Sequence, residues 1–496
     1  MRFARSSGVL LHPTSLPGPF GVGDFGREAR GFVDFLVGAG QTFWQVMPLG
    51  PPGYGGSPYA STSAFAGNVE LISPEELVAG GLLDETDVGG PSKRDLLERA
   101  FHRFKGRVQG DRELRHDYER VLALAASWLD DYVLFAALKD VHDGADWLSW
   151  EPASARREPS GLAQARRELG DRIEAHRFFQ YLFLRQWLDL KRYANERGIR
   201  IVGDIPVFVA HDSADVWARP QLWKLDPEGR PTVVGGVPPD AFSATGQLWG
   251  NPLYDWDRLG AEGFGWWIDR MRETLKLVDV VRLDHFRGFA AYWEVPATAR
   301  TAEHGRWVEA PGRALLRAIT GACGGRDLPI IAEDLGTITA DVHALREEFG
   351  FPGMRVLQFA WNGDPHDAHL PHEYPTHVVA YTGTHDNDTV VGWFAHRSGE
   401  TATEAERLER ARCLRYLGGA GAHIHWVFIR AVQMSVADVS IVPMQDLLGL
   451  DSTARMNTPG RASGNWSWRL PPGALTAELR ARLRESTETY GRRPSP

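Results

Sequence analysis

The stretch LVDVVRLDHFRG, residues 277–288, starts as a buried β-strand and finishes in charge. Its valines suit a pleated, packed strand, yet Arg282, Asp284, His285 and Arg287 crowd its second half. Side chains two apart on a strand share a face, so Arg282 and Asp284 point the same way, while Leu283 and His285 point the other way or leave the strand. A core strand ending in charge is expected where a parallel barrel opens at its C-terminal mouth, the face on which such barrels carry their active sites.

Seven further runs look like buried strands: GVLLH (8–12), TFWQVMPL (42–49), IRIVGDIPVFV (199–209), LPIIAED (328–334), MRVLQFAW (354–361), THVVAYTG (376–383) and VSIVPMQD (439–446). Amphipathic helical text follows many of them, for example REARGFVDFLVGAG after the first and ADVHALREEFG after the fifth in chain order. Strands alternating with helices imply an α/β fold, and eight such units point to a (β/α)8 TIM barrel; an open doubly wound sheet is the alternative that a strand count leaves standing.

At 496 residues the chain is about twice the ~250 residues of a usual barrel. The expected organisation is one catalytic barrel over 1–496 with helical and loop insertions and no separate C-terminal β domain. A largely helical insertion at 50–198 lies between the second and third strands, and a loop-rich, Gly/Pro/Trp-rich insertion at 210–276 lies between the third and fourth. Long loops inside compact domains are usually functional. No internal repeat is visible, and the terminal GRRPSP is expected to be disordered.

With 43% hydrophobic and 24% charged residues the composition is that of an ordinary globular protein. A formal net charge of -9 supplies no overall positive field, which argues against nucleic acid or an anionic membrane as partner and suits a neutral substrate. Two cysteines, Cys323 and Cys413, are too few for a disulfide framework, so a reducing cytoplasm is the expected setting. Pro13 and Pro17 interrupt the short apolar segment at the N-terminus, which is therefore not a secretory signal, and no apolar run is long enough to span a bilayer. The 18 Trp, 23 Phe and 12 Tyr are mostly expected in the core. Trp249, Tyr54, Tyr59, Trp466 and Trp468, however, stand in Gly/Pro-rich text, where a flat ring is placed to face a ligand.

Several strand ends carry acids: Asp204, Asp284, the pair Glu333 and Asp334, then His385, Asp386 and Asp388, with Gln445 and Asp446 on the eighth. One such acid would be explained as a helix cap; several converging on one mouth suggest a site. Arg282 should keep Asp284 ionised, fit to act as a nucleophile. Glu333, after the apolar PIIA, should hold its proton and suit a general acid. Asp334 is nearly as good a candidate, since alternation shows only that the two face opposite ways. An ionised carboxylate beside a protonated one is the apparatus of retaining glycoside chemistry.

GDIPVFV (203–209), VRLDHFRG (281–288), IAEDLG (331–336) and YTGTHDNDT (381–389), with GYGGSPY, GQLWGNPLY and RMNTPGRASGNWSWR, closely resemble the motifs of the amylomaltase family, the 4-α-glucanotransferases related to α-amylases. The resemblance runs over essentially the whole chain. It implies transfer of α-1,4-glucan segments between maltooligosaccharides, with Asp284 as nucleophile, Glu333 rather than Asp334 as acid/base and Asp386 as transition-state stabiliser. It also implies that Arg282, His385 and Asp204 orient the nucleophile and the sugar. Gln247, Trp249 and Asn251 would lie on a mobile loop over the site, with Tyr54 and Tyr59 as aromatic glucan contacts. Two departures stand out: the first motif lacks the histidine of α-amylases, which favours the transferase branch, and Arg461 stands where threonine is expected. The chain begins almost directly at its first strand, so the N-terminal extension of some relatives is expected to be absent.

Other readings carry less weight. GVGDFG (21–26) is a literal G-x-G-x-x-G, but the next strand does not end in the acidic residue that a dinucleotide site requires. A catalytically dead glucan-binding barrel would have lost its acids, and all three are present. HDND and HIH (423–425) contain ligand types without an established metal spacing, so neither metal nor cofactor is expected.

Overall fold

In a computed structural model, which describes residues 2–89, 92–239, 243–325, 327–419, 421–461 and 463–493, all eight expected runs form strands of one parallel sheet. In chain order the strands of the molecule are β1 (Ser6–Leu10), β2 (Phe43–Gln45), β3 (Arg200–Ile205), β4 (Val233–Val237), β5 (Gln247–Pro252), β6 (Val280–Leu283), β7 (Ala291–Pro296), β8 (Arg306–Glu309), β9 (Ile330–Ala332), β10 (Gly353–Val356), β11 (Val378–Tyr381) and β12 (Val439–Pro443). The parallel sheet runs β10-β11-β12-β1-β2-β3-β6-β9. Its two ends meet where Ala332 N–H donates to Pro352 C=O at 2.9 Å, so the sheet is a nearly closed (β/α)8 barrel. After β12 the described residues form helices and coil and no further strand.

Alternation sorts the strands into two packed layers. Leu10, Phe43, Val202, Val280, Ile331, Val379 and Ile441 fill the barrel interior as one buried cluster, closed by Phe3. The alternate residues, among them Val9, Trp44, Ile201, Val281, Leu283 and Ile330, pack outward against the helices. Two positions beyond the interior apolar residues come Gln45, Asp204, Arg282 and Glu333, so the period of the strand itself carries polar groups onto the top of an apolar plug.

Residues 50–198 contain helices at Lys93–Arg107, Arg112–Ala123, Leu129–Val141 and Pro159–Glu168, followed by the long helix Gly170–Glu196. That helix returns the chain to β3; its Trp187 is fully buried and donates to Leu277 C=O at 2.8 Å. Residues 210–276 are less loop-like than their composition suggests. β4 and β5 pair there and join the later hairpin β7–β8 in a four-stranded antiparallel sheet ordered β5-β4-β7-β8. Gly235 and Gly236 in β4 obscure its strand pattern, and its partner β7 lies some sixty residues downstream in sequence.

The terminal stretch also differs from expectation over its described part. Arg492 is fully buried and donates to the carbonyls of Gln433, Ser6, Val432 and Ser435. The guanidinium matches a ring of backbone acceptors supplied by β1 and the end of the helix Ile424–Met434, a relationship invisible in a short polar sequence. Residues 494–496 lie outside the described residues.

Candidate active site

The in-register pairing of β3 with β6 sets Asp204 beside Arg282. Arg282 Nη1 lies 2.7 Å from Asp204 Oδ2 and 2.9 Å from Asp284 Oδ1, so one nitrogen serves two carboxylates. Arg282 and Asp204 are buried, whereas the Asp284 side chain remains 27% exposed toward the mouth. Burial pushes the Asp204 carboxyl above its ordinary value, with Arg282 pulling it back. Burial also works against the charge on Arg282, but Asp204, Asp284, Tyr59 and Glu333 more than compensate.

Glu333 follows β9 directly. One carboxylate oxygen accepts from His285 N–H and the other from Leu335 N–H, each at 2.7 Å. Burial pushes its pKa up to about 8; Asp284 adds to the rise, while Arg282 and the two backbone donors oppose it. The group therefore holds a proton near neutral pH, as a general acid must. Asp334 turns the other way, accepting from Arg346 at 2.9 Å and from Met354 N–H at 2.7 Å, and it fastens β9 to β10 at the barrel seam. The two neighbouring acids are thus separated by their partners as well as by face.

Asp386 stands on the loop after β11, with its side chain 44% exposed. Asn457 Nδ2 donates to its Oδ1 at 2.6 Å, and His385 Nε2 lies 3.4 Å from the same oxygen. The His385 ring stacks on Tyr59 at 4.9 Å, and the Tyr59 hydroxyl donates to Asp204 at 2.8 Å. Trp466, held at φ 62°, closes this wall 5.7 Å from the Tyr59 ring. Burial raises the Tyr59 hydroxyl well above its ordinary value, so it remains a donor.

The sheet β5-β4-β7-β8 supplies the other wall. Trp249 meets the His285 ring edge-on at 4.8 Å and takes a hydrogen bond partner in Gln247 Oε1 at 3.3 Å. Asn251 donates its amide to Val209 C=O at 2.8 Å and so ties β5 to the segment beyond β3. Tyr54 is placed apart from this cluster, on a short 3-10 turn at Tyr54–Gly56, and the residue is 81% exposed.

Asp446 does not reach the mouth. It is buried, accepts from Thr382 Oγ1 at 2.6 Å and Val390 N–H at 2.7 Å, and is pushed up to about 6 by that burial. Gln445 donates to Ala454 C=O at 3.3 Å, and Asp388 accepts from Ser452 Oγ at 2.6 Å. These residues organise the loops around the mouth. Arg461 is exposed, its backbone N–H closing a turn onto Thr458 C=O, and nothing in the structure explains an arginine there.

Two contributors had no assigned role in the sequence. Asn457 lies 71 residues beyond the acid it touches, and no charge pattern marks an amide in RMNTPG. His12 ends the first strand run; its Nδ1 accepts from Met47 N–H at 3.2 Å, and burial, reinforced by Arg469 and His385, pushes it down to about 3. Among the described residues no group of three or more His, Cys, Asp or Glu side chains is placed to hold a metal ion. The glycines of GVGDFG lie in the loop before the helix Arg27–Gly38.

The sequence model of one protein family, described as 4-alpha-glucanotransferase, matches residues 11–476. The chain is 50% identical to the 4-alpha-glucanotransferase of Thermus thermophilus over 508 aligned residues, covering 99% of this chain and 100% of that one. It is 47% identical to the 4-alpha-glucanotransferase of Synechocystis sp., covering 99% and 98% respectively. Among solved structures, the amylomaltase from Streptococcus agalactiae in complex with acarbose superposes with a TM-score of 0.91 at 39% identity, covering 98% of this chain and 99% of that chain.

Proposed function

Because this chain belongs to the 4-alpha-glucanotransferase family and is a transferase of α-1,4-glucan segments, we propose that it works by a retaining double displacement with Asp284, Glu333 and Asp386 as its catalytic groups. Asp284 attacks the anomeric carbon while Glu333 protonates the departing sugar oxygen, which leaves a covalent glycosyl-enzyme. Glu333, now ionised, takes the proton of the incoming 4-hydroxyl as the acceptor glucan displaces Asp284. Asp386 faces the positive charge that develops on the sugar ring between these states.

The observation that carries the reading is the opposed environment of two carboxyls at one mouth: Asp284 bound to a permanent cation at 2.9 Å, and Glu333 buried and raised to about 8. Arg282, Asp204, Tyr59 and His385 form a joined network that supports a role in orienting the nucleophile and the sugar. The position of Trp249 beside His285, with Gln247 bonded to its indole, supports an acceptor platform that keeps water from the glycosyl-enzyme. Asn251 supports that platform through Val209, and the exposed Tyr54 is assigned an outlying glucan contact.

We assign the chain as one catalytic unit over 1–496, with the 50–198 and 210–276 insertions serving the barrel. It acts on maltooligosaccharides and α-1,4-glucan in the cytoplasm, without cofactor, nucleic acid or membrane. No helix among the described residues is long and apolar enough to cross a bilayer. Incubation with maltotriose tests the activity: glucose with a ladder of longer oligosaccharides is expected, and growth of reducing ends without the ladder would contradict it. Asp284→Asn and Glu333→Gln should each lower turnover by roughly three orders of magnitude or more.

A further inference from the structure

Arg287 lies beyond the acid cluster, yet it is buried and engaged by a ring on one strand and a carbonyl on another loop. Its guanidinium carbon lies over the Trp307 ring, 3.9 Å from its centroid, on the hairpin strand β8, and its Nη1 donates to Thr337 C=O. The two N–H groups that hold the Glu333 carboxylate belong to His285 and Leu335. Arg287 stands two residues after the first donor, and its acceptor, Thr337, stands two residues after the second.

We propose that Arg287 is a positioning residue for the acid: it staples together the two backbone segments whose N–H groups clamp Glu333, and the Trp307 ring packs against the staple. The segments need such a tie. His285 occupies a left-handed backbone conformation at φ 51°, which a β-carbon disfavours, and Gly336 in the opposing loop stands at φ 84°. The backbone also crosses here, with Phe286 N–H donating to Glu333 C=O at 3.1 Å and Glu333 N–H to Leu283 C=O at 3.0 Å. Nothing in that pairing fixes the loop beyond Leu335; Arg287 does.

The charged and titratable groups around the clamp are Arg282 on β6, Asp284 just beyond it, the His285 ring, and Asp341 at the start of the helix Ala340–Glu348, which faces Arg287. His285 is pushed down to about 4 by burial and so is neutral in the working range. The backbone donors favour the ionised form of Glu333, so a looser clamp moves its titration upward.

In the full-length enzyme, Arg287→Ala is expected to lower kcat on maltotriose about tenfold, with KM changed by less than about threefold. The alkaline limb of kcat/KM should move up by about half a unit, and Arg287→Lys, which keeps a donor for Thr337, should bring it back. A variant that melts lower while keeping the wild-type limb and kcat would overturn the proposal. Should Arg287→Ala fail to fold, Trp307→Leu on the largely exposed strand β8 carries the same comparison: a smaller upward displacement supports the staple, and none overturns it. The inference rests on Glu333 being the acid. Near-normal turnover in Glu333→Gln would remove that reading itself, whereas an inactive Glu333→Gln with an unmoved limb in Arg287→Ala removes only the staple.

Discussion

Arg282 near the end of β6 and Asp284 just beyond it meet through a 2.9 Å ion pair, and the same Arg282 nitrogen reaches Asp204 on β3 at 2.7 Å. Removing the guanidinium leaves a buried carboxylate uncompensated, so Arg282→Ala should destabilise the fold by about 3–5 kcal/mol and abolish transfer. Arg282→Lys keeps the charge but not the planar fork, and it should recover much of the melting temperature with turnover still at least about 100-fold down. Thermal melts read beside maltotriose turnover separate the two effects; equal recovery of both would count against a positioning role for the fork.

The pH profile should show Glu333. Its folded-state value is raised to about 8, so the acid is protonated below that pH and kcat/KM for maltotriose should fall as pH rises through it. A glycosyl fluoride donor needs no protonation of its leaving group. With it the limb in the first half-reaction should vanish, and its persistence would point to another ionising group.

Asn457→Ala should weaken the hold on Asp386. The lost bond is a 2.6 Å amide to a carboxylate, and with Asp386 in its proposed role of facing developing charge, kcat should fall roughly tenfold with little change in KM. A large rise in KM with unchanged kcat would place Asp386 in ground-state sugar binding instead.

Trp249 and His285 touch at 4.8 Å over the mouth. Trp249→Ala should weaken acceptor capture and admit water, so the ratio of hydrolysis to transfer on maltotriose should rise several-fold. The product ladder and the total of reducing ends, followed in one time course, give that ratio directly.

His12 should make the fold acid-sensitive. Its folded-state value is depressed to about 3, against about 6.5 for an exposed histidine, with Arg469 and His385 facing it. The unfolded chain therefore binds the extra proton first, so this contribution to stability is present above about pH 6.5 and is lost as pH falls toward 3. His12→Asn, which keeps an acceptor for Met47 N–H, should show a flatter melting temperature between pH 6 and 4 than the wild type.

The barrel strands and the carboxylates at their C-terminal ends were legible because both follow local rules. β-branched runs pack on two sides, and the period of two put Arg282 with Asp284 and set Glu333 against Asp334. The antiparallel sheet was not legible, because Gly235 and Gly236 break the pattern in β4 and its pairing with β7 spans a distant stretch. Asp446 looked like another mouth acid because a strand-end carboxylate reads alike whether it meets solvent or, as here, a buried Thr382 hydroxyl and Val390 N–H.

The order of strands, the shared face of Arg282 and Asp284 and the resemblance to one glucan-transferring family were determined by the sequence itself, since alternation and motif spacing are properties of neighbours along the chain. Only the tertiary structure decided which partners those residues meet: Asn457 on Asp386, Tyr59 on Asp204, and Arg287 between the loops that hold Glu333. Such contacts join positions from tens of residues to more than a hundred apart. Their energies depend on burial and on distances of a few ångströms, which closing the barrel creates and no local pattern encodes.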